Sequence, residues 1–470
     1  MSKVGSFLRS KRKLILLAGV PGALLVPQMV SAQEGADAME VATSAFTGVN
    51  FVWTLIAGFL VFFMQAGFAL VEAGFARRRN TVNILAKNFM DFAIGGIAYW
   101  AFGFAIMFGG SAAASGLENG NDFFGTSGFF LAGEAGADDT ALLWFFQMVF
   151  AATAATIVSG GMAERTRINA YLAYSFLISA IVYPVYGHWV WGGGWLSQLD
   201  LGSGALDFAG SGVVHAVGGI SALIGAAMLG PRIGKFAKDG TPRTIPGHNM
   251  PLVVLGAFIL FFGWFGFNPG STLSGTDTHI AMIAVTTFLA GAAGAIVGFY
   301  YSFVRTGKPD VGLAVNGALA GLVAITAPCA FVSPGAALII GAIGAGIMLA
   351  SLSIVERVLK IDDPVGAFSV HGAAGIWGVL ALGIFADGSY GDVTGLIAGD
   401  AGQLAAQVIS VVALIGWTAV ASGLTFIVIK YAIGLRVPKA DELAGLDATE
   451  MGTDAYPEDE SPESALAASA

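Results

Sequence analysis

Two stretches, Asp207-Phe-Ala-Gly-Ser-Gly-Val-Val-His215 and Asp363-Pro-Val-Gly-Ala-Phe-Ser-Val-His371, share one pattern. In each stretch seven residues separate an aspartate from a histidine, and glycines follow shortly after. The offset between the aspartates equals that between the histidines, 156 residues. Both histidines lie deep in apolar, glycine-rich segments, where a titratable imidazole is costly inside a bilayer. The matched pair therefore indicates an internal repeat whose two copies share a site.

The composition is that of a membrane protein. Hydrophobic residues make up 56% of the 470, charged residues only 11%, and the mean hydropathy is +0.76. These values lie far from those of soluble domains. The 67 glycines allow membrane helices to approach closely. A single cysteine, Cys329, excludes a disulfide framework or a cysteine-based metal cluster.

Residues 1–32 are predicted to be a cleaved secretory signal. Five basic residues precede an apolar run from Leu14 to Val30, which Pro21 interrupts, and Val30-Ser31-Ala32 supplies a small-residue cleavage site. A retained signal anchor is the alternative. Cleavage would leave a membrane domain at 33–434, with its mature N-terminus outside, and a C-terminal tail at 435–470.

Eleven apolar stretches after the signal are long enough to cross a hydrocarbon core as helices. Their continuous apolar runs exclude a closed barrel, whose strands alternate. The predicted fold is therefore an all-α polytopic membrane protein. The approximate limits are 49–76, 82–108, 141–163, 168–187, 209–230, 250–269, 279–304, 311–331, 335–357, 366–386 and 401–434.

Basic residues predict the orientation. Five of the 22 Lys and Arg belong to the signal, and the other 17, including Lys87, follow an odd-numbered span or begin the next one. The positive-inside rule makes those loops and the tail cytoplasmic. The opposite loops carry Glu118, Asp122, Glu134, Asp138, Asp139, Asp200, Asp277, Asp387 and Asp392. These acids could concentrate cations, or could merely reflect the exclusion of bases from that side.

Five spans per copy is an odd number, so the halves 49–230 and 250–386 must cross the membrane in opposite senses. This predicts an inverted five-plus-five repeat, with 401–434 as an extra span. Asp207 and Asp363 are suited to cap helix starts. Eight residues of helix then carry each histidine ~12 Å inward. The two histidines can meet if their spans are neighbours.

The histidines have three other interpretations: a separate carbonyl partner for each ring, a metal site and an enzymatic centre. Each could separately satisfy a buried carbonyl. A metal site lacks a third ligand, because no Cys, Asp or Glu lies one helical turn from either histidine. An enzyme would need an activated nucleophile or a metal-bound water, which the spans do not indicate. We therefore predict no metal, no cofactor and no enzymatic activity, and we interpret His188, His248 and His279 as ordinary.

Aromatic residues accompany the histidines. Trp191 begins a Trp-Gly-Gly-Gly-Trp run, Phe150 lies in the third span, and the sixth span ends in Gly263–Ser271 (GWFGFNPGS). Taken singly, such residues are interfacial anchors or packing. Taken together, aromatic faces and a serine hydroxyl could hold a small cation. Further along the pathway, beyond this cation site, aromatic rings would close a dry channel that contains the two imidazoles.

These residues resemble the Amt/Mep/Rh ammonium transporter family, and specifically its bacterial Amt branch. The likeness extends over nearly all of the mature chain. Its most specific motifs are Gly161–Arg165 (GMAER), Asp207–His215 (DFAGSGVVH), Gly263–Ser271 and Asp362–Gly378 (DDPVGAFSVHGAAGIWG). The resemblance implies an eleven-span inverted repeat, assembled as a homotrimer with one pore in each subunit.

The resemblance also implies roles for single residues. Trp191, Phe150 and Ser271 would form the outer ammonium-binding site. Phe150 and Phe267 would form a gate below it. His215 and His371 would be the pore's twin histidines and Trp264 would line the path. Asp207 would act structurally or electrostatically. By its matched position, Asp363 is expected to act in the same way.

The expected function is transport of ammonium, with methylammonium as an analogue, across the bacterial inner membrane. The tail from Gly434 resembles the family's cytoplasmic C-terminus, a target of the nitrogen-signalling PII protein; the alternative is a tail that only packs on the loops. Two further readings stay open, an ammonium receptor and an Rh-like gas channel. No nucleic acid is expected as a partner.

Overall fold

The computed structural model describes residues 38–114, 117 and 119–456. The predicted signal, Glu118 and the last stretch of the tail lie outside the described residues. Two compact units are distinguished, 1–48 and 49–470. The described part of the first unit is helical, and the contacts discussed below belong to the second.

The described chain is all-helical, with no strand in those ranges beyond four isolated bridges. Ten of its helices are long and apolar enough to cross a membrane, and an eleventh, α8, is shorter. In chain order, α1 to α11 span Thr43–Phe75, Arg78–Phe108, Asp138–Met162, Ile168–Val190, Ser211–Leu229, Met250–Thr272, Ile280–Thr306, Val311–Thr326, Pro334–Val358, Phe368–Phe385 and Ala401–Ala432. The predicted fold class is confirmed.

Helix α8 ends five residues earlier than the sequence suggested, at Thr326 rather than 331. Pro328 lacks an N–H, and the chain entering α5 binds the last turn of α8. Ala209 N donates to Thr326 O at 3.2 Å, and Ala327 N donates to the Ser211 hydroxyl at 2.6 Å. The start of α5 therefore lies against the end of α8.

Helices α5 and α10 enter the bundle from opposite ends. Besides its contact with α8, the start of α5 lies on the side of the acidic loops, which we call the acidic end. Asp362, just before α10, contacts Arg165 and Arg232, which lie where α3 and α5 end. That side, with the Arg and Lys loops, is the basic end. The opposed entries are those expected of an inverted repeat.

A network of buried ion pairs ties the loops together at the basic end. The Arg232 guanidinium binds both oxygens of Asp362, at 2.8 and 3.0 Å, and reaches Glu164 at 2.6 Å. Arg77 also pairs with Glu164, which has a left-handed φ of 72°. Bidentate pairs of this kind are strong when fully hydrogen-bonded. The network joins loops from both repeat halves.

The C-terminal tail folds back across the basic end. It contains a short helix, α12, at Lys439–Ala444. Glu442 accepts a hydrogen bond from Ile233 N at 2.7 Å, Asp447 accepts one from Asn83 N at 2.8 Å, and Glu450 accepts one from Ile168 N at 3.1 Å. Three acidic side chains thus fix the tail to the N-terminal parts of α2 and α4 and to the loop before α6.

We expect Asp362→Asn to destabilise the protein by about 3 kcal/mol, because it removes one partner of a buried ion pair. Burial alone would raise the pKa of Asp362, but hydrogen bonds from Arg232 and the charges of Arg165 and Arg232 outweigh it and hold that pKa well below its usual value. A depressed pKa contributes stability above the unfolded carboxyl pKa of about 3.9. This contribution is lost as pH falls toward the folded pKa.

Thermal unfolding in detergent between neutral pH and about pH 3 would measure both effects. The control is Asp239→Asn, which changes a fully exposed aspartate. A melting curve for Asp362→Asn that coincides with that of the control would refute the role given to the network.

Candidate functional site

The two histidines lie in contact at the centre of the fold. Nδ1 of His215 is 3.3 Å from Nδ1 of His371, and the ring centroids are 5.3 Å apart with planes inclined by 25°. Both rings are buried. A Cβ on Gly219 of α5 would lie 2.2 Å from Gly372 N of α10, so only glycine permits this crossing. Close approach of the two helix backbones thus brings the imidazoles together.

One hydrogen must be shared across this contact. A neutral imidazole carries one N–H, so one ring donates from Nδ1 and the other accepts at Nδ1. The donating ring then has a lone pair at Nε2, whereas the accepting ring has an Nε2–H. Among the described residues, Nε2 of His215 has no hydrogen-bond partner although it is buried. The pair therefore presents an acceptor at one end and a donor at the other.

Aspartates fix the start of each histidine helix. The Asp207 carboxylate accepts four backbone N–H bonds, from residues 210 to 213, at 2.7–3.0 Å. Asp363 accepts two, from Ala367 and Phe368, both at 2.9 Å. Burial raises the pKa of Asp207 to about 6, and the four bonds limit that rise. Such caps replace the partners that the first N–H groups of a helix lack.

Both histidines lie in π-helical turns, Ser211–Ala216 and Phe368–Ala373. A π turn is wider than an α turn and is common at functional sites. The predicted repeat therefore extends to local geometry, since each copy has an aspartate cap, a π turn and an inward imidazole. The sequence pattern did not predict the π turns.

An aromatic column adjoins His215. Its ring packs against Trp264, with centroids 5.1 Å apart and planes inclined by 20°, and against Phe267, with centroids 5.2 Å apart and planes inclined by 26°. Phe267 in turn packs on Phe150, with centroids 4.1 Å apart. These three aromatic side chains are fully buried. The Phe150 and Phe267 rings are too close together for a hydrated ion to fit between them.

The predicted outer residues lie beyond this column, toward the acidic end. Trp191 meets Phe150 edge to face at 6.2 Å, and its indole N–H donates to Asp207 O at 2.6 Å. The Ser271 hydroxyl donates to Phe267 O at 2.8 Å. Trp191 and Ser271 are partly exposed, unlike the residues below them. Each predicted outer residue is thus linked directly to the phenyl pair.

Two cavities lie on the other side of His371. The first, of about 20 Å³, is lined by His371, Phe68, Glu72 and Asn316 among others. The second, of about 300 Å³, shares Asn316 with the first and extends to Arg232 at the basic end. A route from the histidines to the basic end therefore begins in a space for about one water molecule.

Several residues of this region were not identified from the sequence. Phe68 packs on His371 with a centroid distance of 5.8 Å, and Thr326 accepts the Trp264 indole N–H at 2.9 Å. Glu72 carried a signal that could have been used, since it is an acid inside a predicted span. Lys87, counted from the sequence among the basic residues at the start of a span, is buried, and its Nζ donates to Thr166 O at 2.7 Å.

The chemistry of the site is restricted. A cation entering the column must lose its water, which costs several kcal/mol without compensation. A small neutral molecule avoids the cost of removing water from an ion. The imidazole pair can accept a proton at one end and release one at the other. Across the described ranges, no group of three or more His, Cys, Asp or Glu could hold a metal ion.

Known proteins share this architecture and sequence. Residues 52–456 match the Ammonium Transporter Family. The chain is 50% identical to ammonium transporter Amt2 of Archaeoglobus fulgidus over 451 residues, covering 93% of this chain and 94% of that protein. It is 41% identical to ammonium transporter Amt1 of Haloferax mediterranei, covering 87% and 80%.

Solved structures agree with these matches. A structure described as "Sensor Amt Protein" superposes with a TM-score of 0.80 at 36% identity, covering 87% of this chain and 99% of that one. Mep2 of Candida albicans superposes with a TM-score of 0.76 at 29% identity, covering 91% and 94%. Sequence and fold thus match along almost the whole described length, and the chain belongs to the ammonium transporter family.

Proposed function

We propose that this chain carries ammonium across the bacterial cytoplasmic membrane by taking ammonia and its proton separately past the twin histidines. Family membership supports ammonium as the substrate. The observation that carries the mechanism is the 3.3 Å contact of two buried imidazoles below a closed aromatic column. Such a path excludes an ion but can pass a neutral molecule and relay a proton.

Recruitment takes place at Trp191, Phe150 and Ser271. Ammonium is attracted to indole and phenyl faces by cation–π interaction. The Ser271 hydroxyl already donates its hydrogen to Phe267 O, so its lone pairs remain available to accept an N–H of the ion. Potassium has no N–H to offer this oxygen. The outer site therefore contributes to selection before the gate.

Deprotonation follows at the phenyl pair. Phe150 and Phe267 have to separate for any molecule to pass, and the space between them is apolar. Bare ammonium in such a space loses its hydration, whereas ammonia, being neutral, loses far less. Potassium cannot lose a proton and remains charged. The dry column thus rejects potassium by a property unrelated to ionic radius.

The histidine pair moves the proton. A proton bound at the free Nε2 of one ring makes that ring an imidazolium, and its Nδ1–H passes to Nδ1 of the other ring. The second ring then releases its Nε2–H on the far side. At the outer end an N–H bond of ammonium breaks and the Nε2–H bond of the first ring forms. At the inner end the Nε2–H bond of the second ring breaks and an N–H bond re-forms on ammonia, so one charge crosses for each ammonia. Transport by this route is electrogenic.

The same proposal covers orientation and assembly. The 17 basic residues after the signal, together with the folded tail, mark the basic end as cytoplasmic by the positive-inside rule. The mature N-terminus is then outside. Apolar side chains such as Phe258 and Val412 are exposed on the helix flanks, available to lipid or to the other subunits of a homotrimer. We assign the chain to the bacterial Amt branch.

The tail is the proposed contact for a PII-type protein. Its helix α12 and the residues to Tyr456 lie on the basic end, fixed by Glu442, Asp447 and Glu450. A regulator bound there would touch the tail and loops from both repeat halves. The alternative of a tail that only packs on the loops is compatible with the same contacts.

A sensor function is the second candidate, because one structural relative is described as "Sensor Amt Protein". Purified chain in proteoliposomes separates the two functions, since a transporter accumulates ammonium or methylammonium without another protein. An Rh-like gas channel would instead take up ammonia without an electrical current. Measuring uptake and current in the same proteoliposomes therefore distinguishes a gas channel from the proposed transporter.

We expect the double variant His215→Ala/His371→Ala to lose discrimination between ammonium and potassium by about tenfold or more, ~1.4 kcal/mol, because water and ions can enter the space left by the rings. Currents after ammonium or potassium pulses on proteoliposomes measure this. His279→Ala is the matched control, since that ring binds Ala330 O at the acidic end. Unchanged selectivity and flux in the double variant would reject the relay.

Replacing Trp191 with leucine should raise the half-saturation concentration for ammonium about three- to tenfold, as expected for loss of one cation–π contact, with little change in maximal rate. Trp189→Leu is the control, since that indole packs on Trp195 and Trp417. Equal half-saturation concentrations in wild type and Trp191→Leu would remove Trp191 from the outer site.

A further inference from the structure

Glu72 is a buried carboxylate that the pathway described so far does not use. It lies on α1, four residues after Phe68, so both side chains share one helix face. Phe68 packs on His371 with a centroid distance of 5.8 Å. Glu72 is only 3% exposed, yet it lines the same 20 Å³ cavity as His371. Glu72 and the inner imidazole, His371, thus line the same cavity, which has room for about one water molecule.

Among the described residues, Glu72 has no salt-bridge partner. The buried acids Glu164 and Asp362 are paired with arginines, whereas within the described residues no Lys, Arg or His nitrogen lies within 4.0 Å of Glu72. Lys87 acts on it electrostatically, but its Nζ donates to Thr166 O. A buried carboxylate without a counter-ion is costly and marks a functional site in a membrane protein.

The charged groups facing Glu72 are few. His371 faces it from α10 across the cavity, and Lys87 and Asp91 of α2 act on it through their charges. Helices α3 and α8 contribute uncharged residues to the cavity, Ile157 and Gly160 from the first and Asn316 and Leu319 from the second. A proton on Glu72 therefore exchanges most directly with the His371 side.

The carboxylate is held in place by an ordered set of amides. Asn88 Nδ2 donates to Glu72 Oε2 at 3.2 Å. The amide cannot be reversed, because Asn88 Nδ2 also donates to the Ile84 carbonyl oxygen at 3.0 Å, and that oxygen can only accept. Thr156 Oγ1 donates to Asn88 Oδ1 at 2.7 Å, and Gln65 Nε2 donates to Thr156 Oγ1 at 3.1 Å and to Asp91 Oδ1 at 2.8 Å. Asn88 therefore presents a donor to Glu72.

Glycine keeps the cavity open beside the acid. A Cβ on Gly160 would lie 3.8 Å from Glu72 Cδ and 2.4 Å from Val365 Cγ2, so a larger residue would close the space. On the opposite wall, His371 Nδ1 is already engaged with His215. Only Nε2 of His371 is left to exchange a proton with the cavity.

We propose that Glu72 is the inner proton acceptor of the transport cycle, an inference that rests on the proposed function. The Nε2–H bond of His371 breaks and, through one water molecule of the cavity, an O–H bond forms on Glu72. Ammonia arriving in the cavity then takes this proton, so that the O–H bond breaks and a fourth N–H bond forms. Ammonium leaves through the wider cavity, and Glu72 is again ionised.

Glu72→Gln and Glu72→Asp test the proposal in proteoliposomes with the full chain, by current and by methylammonium uptake. We expect Glu72→Gln to lower the maximal current about tenfold or more, the loss expected for a general acid–base group, without changing the half-saturation concentration set at the outer site. Glu72→Asp, which keeps a titratable group, should restore most of the current. Asp239→Asn, which changes a fully exposed acid at the basic end that lines neither cavity, should leave the current unchanged.

Two results would overturn the inference while leaving the proposed function intact. One is a Glu72→Gln current within about twofold of wild type, well short of the loss expected for an acid–base group, and the other is an equal loss of current in Glu72→Gln and Glu72→Asp. Wild-type uptake without current, or the absence of both uptake and current, would instead refute the proposed function. If Glu72→Gln does not fold, infrared difference spectra of the wild type and of Glu72→Asp test whether Glu72 is protonated during transport. A carboxylic C=O band must appear in the wild type on addition of ammonium and shift in Glu72→Asp; its absence refutes the proposal.

Discussion

The hydrogen bond between the two imidazoles is the contact on which the rest of the arrangement depends. It forms only if α5 and α10 enter from opposite ends and cross with no side chain between their backbones, as at Gly219 and Gly372. Each helix must also deliver its ring at the same depth, which the caps at Asp207 and Asp363 ensure. In this fold the inverted repeat supplies that geometry, and the caps at both helix starts hold the two rings in place.

The fold was largely predictable because its determinants are local. Membrane helices follow from continuous apolar runs, and the aspartate starts of α5 and α10 follow from short-range capping. The end of α8 was not predictable. Ala209 and Ser211, more than a hundred residues away in sequence, bind its last turn. An interaction of that range leaves no mark in the hydropathy of 311–331.

The functional site also has one part that could be predicted from the sequence and one part that could not. Its aromatic and imidazole residues belong to recognisable motifs, and the structure brings Trp191, Phe150, Phe267, Trp264 and His215 into one column. The inner cavity belongs to no single motif, because α1, α3, α6, α8 and α10 each contribute part of its wall. Periodicity on α1 alone cannot show that Phe68 and Glu72 face a space shared with His371. Such a space exists only after the helices have packed.

The single hydrogen shared by the two Nδ1 atoms has a consequence for the membrane potential. In the proposed relay, the ring that accepted at Nδ1 becomes the donor once a proton has crossed, so the lone pair at Nε2 moves to the inner ring. A second proton from outside then finds an N–H where it needs an acceptor. The pair must return to its first state before the next transfer. In the proposed relay each proton therefore waits for the pair to be reset, so the histidines cannot act as a continuous proton wire.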